Sequence, residues 1–156
     1  MAALALMARI ATAIRLIGWK PYRAARVPLL WILHLSYAWI PLGFLMLGLA
    51  ALGIGTASTA LHALAVGSMA GLIVGMITRT TLGHTGRKLA TGRAEVFMYA
   101  FIQAGAVARV AAGMAPPEWR AGLLLVSGVL WTLSFALLLA VYAPYLWHAR
   151  IDGKEG

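Results

Sequence analysis

Four histidines and no cysteine set the chemistry open to this chain. Without thiols there are no disulfides, thiolate metal sites or cysteine nucleophiles, so a metal would be held by imidazole, thioether or oxygen. His34, His62 and His84 stand in or beside strongly apolar stretches. There, a neutral imidazole is a good ligand for copper or iron. The same placement also suits a histidine that merely hydrogen-bonds within a helix bundle. Tyr37 follows His34 by three residues and shares its side of a helix. His62 and His84 lie roughly 33 Å apart along a continuous helix, so they do not share an ion. His34 and His84 belong by depth to one half of the molecule, where a two-histidine site is geometrically open. His62 belongs to the other half, on the side of Arg109, where a separate outer site is equally open.

The motif Gly83-His-Thr-Gly-Arg87 closes the second apolar stretch. One reading is a helix stop, with Gly83 in a left-handed cap conformation and Gly86 in a tight turn, followed by cationic anchors. The other has His84 as ligand or proton carrier and Arg79 or Arg87 as partner for an anionic group through charge-assisted hydrogen bonds. Arg109 is expected to snorkel to the interface from the last turns of its helix. The acidic residues Glu95, Glu118, Asp152 and Glu155 fall at helix ends or in the tail, leaving no intramembrane carboxylate pair for proton pumping or hydrolysis. No serine or threonine has a base and an orienting acid nearby to suggest a triad. The methionines form no cluster, so they read as packing residues.

The elements that must position these side chains follow from hydropathy. Hydrophobic residues make up 62% of the chain and charged residues 11%, and mean hydropathy is +0.86. This is the composition of an integral membrane protein, not of a soluble domain. The spacing predicts spans over about 28–52, 60–78, 94–113 and 121–142, forming a single all-α membrane domain, a four-helix transmembrane bundle. Pro28 opens the first span, Pro41 lies inside it, and the fourth is expected to stop before Pro144. A short uncharged link makes the first two spans an antiparallel hairpin. Residues 1–20 read either as an interfacial amphipathic helix or as the end of a longer spanning helix. Their late arginines argue against a signal peptide. Gly67, Gly71 and Gly75 recur every four positions and leave one helix face without bulk, for another helix backbone to lie against.

The net charge of +9 does not make a nucleic-acid surface, because the basic residues sit at helix ends and form no groove-reading motif. In a four-span arrangement, Arg9, Arg15, Lys20, Arg23, Arg26, Arg79, Arg87, Lys88, Arg93, Arg150 and Lys154 fall on one side, and Arg109 and Arg120 toward the other. Lysine and arginine mark the cytoplasmic side, so both termini are expected there. The partner implied by composition is the lipid bilayer.

The segments Leu30-Trp-Ile-Leu-His-Leu-Ser-Tyr-Ala-Trp-Ile-Pro-Leu-Gly43, Leu61-His-Ala-Leu-Ala-Val-Gly67, Met76-Ile-Thr-Arg-Thr-Thr-Leu-Gly-His-Thr-Gly-Arg87 and the tail Arg150-Ile-Asp-Gly-Lys-Glu-Gly156 resemble the C-terminal part of the NnrS family. Its members are bacterial polytopic membrane proteins of denitrification and nitric oxide stress that contain haem and copper. The resemblance covers the chain from about Trp19 onward. It implies haem and copper as cofactors, His34, His62 and His84 as candidate ligands, Arg79 and Arg87 as partners of an anionic group, and the bacterial inner membrane as location. Family members are usually more than twice as long, so this chain is expected to be a short form. Oligomerisation or a separate N-terminal half would then complete a shared site, with the Gly67, Gly71, Gly75 face as the contact surface. The competing expectation is an assembly module with no cofactor of its own that docks on another membrane subunit. A transporter is disfavoured by the lack of internal repeats and of helices broken at the midplane.

Overall fold

Apolar runs bounded by glycine and proline account for most of the architecture. In the computed structural model, which describes residues 2–24 and 26–153, five helices follow one another: α1 (Ala2–Gly18), α2 (Pro28–Ala50), α3 (Ala57–His84), α4 (Arg93–Met114) and α5 (Pro117–Trp147). No strand occurs among the described residues. Helices α2 to α5 are the four long and apolar enough to cross a membrane, so the fold is the expected all-helical bundle preceded by a further helix. Lys154 and Glu155 lie outside the described residues.

Several helix ends differ from expectation: α3 runs on to His84 where the spacing predicts an end at about 78, and α5 starts at Pro117 where it predicts a start at about 121. The fourth span continues through Pro144 to Trp147. A proline so near the end costs only the bond to the Ala140 carbonyl, and the turn around it is held by Tyr142 donating to Glu95 Oε1 at 3.1 Å. At the end of α3 the cap is Gly86, at φ +73°, while Gly83 remains helical. The amide of Arg87 reaches the Leu82 carbonyl at 2.9 Å and that of Gly86 the Gly83 carbonyl at 3.3 Å. This pair of bonds is the Schellman closure, and it puts His84 on the last helical turn.

The glycine face of α3 is covered by the chain itself. Side chains added at Gly67 and Gly71 would strike Trp39 and Ser36, and one at Gly75 would lie 2.8 Å from Leu33. The expected contact surface for a second copy or a missing half is therefore the α2–α3 interface, consistent with close backbone approach at small residues. Between Ala63 and Met69 α3 is a π-helix, with the Ala70 amide bonded to the carbonyl of Ala65. Such a segment inserts residues into the helical repeat and commonly accompanies functional positions. Here it follows His62 directly.

Helix α1 lies antiparallel along α2. A Cβ at Gly48 would meet Leu6 at 3.1 Å, and Trp19 at the other end packs on Tyr37. The first residues of α1 thus sit at the Gly48 end of the bundle, while the 148–153 tail sits at the α3 C-terminus, where Ile151 N–H donates to the Thr85 carbonyl at 3.3 Å. Helix α1 covers α2 from about Gly48 back to about His34, with its first turn at the end of the bundle opposite the 148–153 tail. Its inward stripe, Ala5, Leu6, Thr12, Ala13 and Leu16, is half-buried, while Leu4, Met7, Ile10, Ile14 and Ile17 point outward.

Candidate functional site

Each histidine begins with a local bond. The Nδ1 atoms of His34, His62 and His148 lie 2.8, 2.6 and 2.6 Å from the carbonyls of Leu30, Ser58 and Pro144, each four residues back. With a carbonyl as acceptor the proton is assigned to Nδ1, which leaves the Nε2 lone pair facing outward from the helix. A backbone carbonyl on the far nitrogen is also what orients a metal-ligating imidazole.

What faces Nε2 separates these residues. His34 is half-buried, and its ring meets Trp19 edge-on with centroids 6.1 Å apart. Trp19 in turn lies 4.7 Å from the Tyr37 ring, so His34 and Tyr37 share a surface, as the spacing suggests, and Trp19 is the residue that joins them. Among the described residues no hydrogen bond is made to His34 Nε2. Trp19 owes its position to the turn after α1, where Lys20 adopts φ 52°, a conformation that costs a non-glycine residue about 1 kcal/mol or more. Neither the partnership of Trp19 nor the strain at Lys20 was signalled by composition or spacing.

At the other end, Arg109 Nη2 lies 2.6 Å from His62 Nε2. Arginine has no lone pair to offer, so the guanidinium donates and the neutral imidazole accepts. Depth alone had suggested this neighbourhood, and there the side chain makes a direct bond. The lone pair of His62 that a metal would need is directed at Arg109.

The third cluster lies where α3 ends against α5. The Arg87 guanidinium sits 3.9 Å above the Tyr145 ring, and its Nη1 is buried with no hydrogen-bond partner among the described residues. That is a dry cationic donor suited to an anion. The carboxyl of Asp152, held by Arg150 at 2.7 Å, packs near Gly86. Its hydrogen bonds raise the Arg150 pKa above the ordinary arginine value. His84 and Arg79 are exposed. His34 faces Trp19 after α1, whereas Arg87 faces Tyr145 on α5, so the two have different neighbours. Among the described residues no three histidine or carboxylate side chains gather as a metal site.

Between the two histidine levels runs a buried polar chain. Trp39 Nε1 donates to Gln103 Oε1, and Gln103 Nε2 donates to Ser36 Oγ, both at 2.8 Å. Gly71 gives it room, since a Cβ there would come within 2.6 Å of Gln103 Nε2. Thr78 and Tyr99 form a second bonded pair at 2.7 Å. These bonds satisfy buried polar groups and fix the register of α2, α3 and α4.

The family model described as NnrS protein matches residues 1–150. That range takes in α1 as well as the four long helices and stops before the final tail residues. No curated protein and no solved structure matches the chain.

Proposed function

The chain belongs to the NnrS family, and from that premise we propose that it is a multi-pass protein of the bacterial inner membrane that binds haem, copper or both and serves the response to nitric oxide in denitrification. The observation that carries this reading is His34, with Nδ1 held by the Leu30 carbonyl, Nε2 uncommitted, and Trp19 and Tyr37 beside it. One oriented imidazole on an apolar, aromatic-flanked surface would suit a haem, whose macrocycle brings its own nitrogen donors. Copper held only by protein side chains would need further donors, which the described residues do not gather around His34. When bound, the metal supplies the centre at which nitric oxide is held. The protein's part is ligand orientation by Leu30, aromatic cover by Trp19 and Tyr37, and the low-dielectric surroundings of α1 and α2.

His84, Arg79 and Arg87 enter as a cationic rim on a different side of the bundle, where Arg87 offers a donor to an anionic group. The alternative of an assembly module docking through Gly67, Gly71 and Gly75 loses its surface to α2. The test is the absorption spectrum and metal content of the full chain purified from cells supplied with copper and haem precursors. A Soret band or stoichiometric copper is expected; absence of both overturns the cofactor reading.

A further inference from the structure

The end of the bundle opposite the His84 motif holds a cavity of about 270 Å³ between the first turns of α3, the last turns of α4 and the start of α5. Arg109, Arg120, His62, Thr56, Ser58 and Thr59 line it. We propose that this cavity is a binding site for a phosphate oxyanion.

Two permanent cations face one small space, and no carboxylate lines it. Among the described residues the one ion pair of the chain is Arg150 with Asp152, so neither Arg109 nor Arg120 is neutralised. Like charges that share one small space repel unless an anion joins them. The local bonds prepare for one. Ser58 fixes the His62 tautomer through Nδ1, and His62 Nε2 then holds one arm of Arg109 at 2.6 Å. The remaining donors of that rigid fork stay available for bidentate contact with tetrahedral oxygens. The N-terminus of the 28-residue α3 opens at the same place, where Thr56 Oγ1 caps the Thr59 amide at 3.2 Å and the preceding amides have no intrahelical acceptor. Arg120 is exposed at the rim. The remaining lining, Ala112 and Gly113, is small.

Arg109 lies about 7 Å along the helix from the end of α4, and basic pockets between spanning helices bind lipid phosphates. The phosphate therefore comes either from a lipid headgroup or from free phosphate, and the chemistry of the site is common to both. Neither the haem reading nor His34 is involved.

The full chain in nanodiscs of phosphatidylcholine is titrated with inorganic phosphate by calorimetry. In parallel, discs doped with phosphatidylglycerol are assayed for lipid retained on the protein by native mass spectrometry. Saturable phosphate binding in the neutral discs identifies a free oxyanion; selective retention of phosphatidylglycerol identifies a headgroup. In either case Arg109→Gln and Arg120→Gln weaken binding by about tenfold or more, while His34→Ala leaves it unchanged. Arg120 is exposed, so its substitution does not threaten the fold. The proposal is overturned if neither probe binds saturably, or if binding survives Arg120→Gln and Arg109→Lys undiminished.

Discussion

His34 and His62 are built alike and used differently. Each donates Nδ1–H to a carbonyl one turn back, and each stands within the first two turns of its helix. At His34 the neighbouring surface is Trp19 and Tyr37, which leave the outer nitrogen open. At His62 it is Arg109, which takes that nitrogen as an acceptor. The local bond thus sets the tautomer, and the neighbouring side chains decide whether the lone pair stays open or meets a cation. Isolated histidines in a sequence do not reveal this, because the deciding residues lie 15 positions before His34 and 47 after His62.

Four substitutions press on this contrast, taken from the largest effect downward. Gly71→Leu removes the rigid middle that keeps the two levels apart. A side chain there meets Ser36 and Gln103, so a loss of about 3 kcal/mol or more is expected, read as collapse of the thermal transition in detergent. Gln103→Leu leaves Trp39 Nε1 and Ser36 Oγ without their partner and costs about 1–3 kcal/mol, measured in the same unfolding assay. Arg87→Gln sharpens the comparison from outside, because Arg87 faces Tyr145 and not the α1 side. Cofactor retention should then change by less than about twofold, whereas loss of a charge-assisted bond to the bound group would weaken it tenfold or more. Lys20→Gly relieves the left-handed turn beside Trp19. Stability should shift upward by no more than about 1 kcal/mol, with the His34 surroundings intact by tryptophan fluorescence.

The bundle was legible because twenty-residue apolar runs bounded by Gly, Pro and basic residues have few other solutions. The antiparallel pairing of α2 with α3 followed from a short link, and the glycine stripe correctly pointed to close packing. Its partner did not follow, since nothing in the spacing of Gly67, Gly71 and Gly75 distinguishes α2 from a foreign helix. Arg87 read as an anion partner because of its type and place; that its guanidinium rests on Tyr145 depends on α5 continuing past Pro144, against the usual local preference. The π-helical segment at Ala63–Met69 had no signature in residue type, because it answers to packing on α2 and α4. Arg109 near His62 was readable from depth, but the bond between them needed the Nδ1 contact to Ser58 to be seen.

The decisive measurement compares the spectra and copper contents of purified His34→Ala and His62→Ala proteins, with folding verified by circular dichroism. With His34 as the ligand, His34→Ala loses the Soret band or the bound copper, and His62→Ala keeps it. Loss in His62→Ala with full retention in His34→Ala would contradict the assignment and move the metal to the Arg109 end.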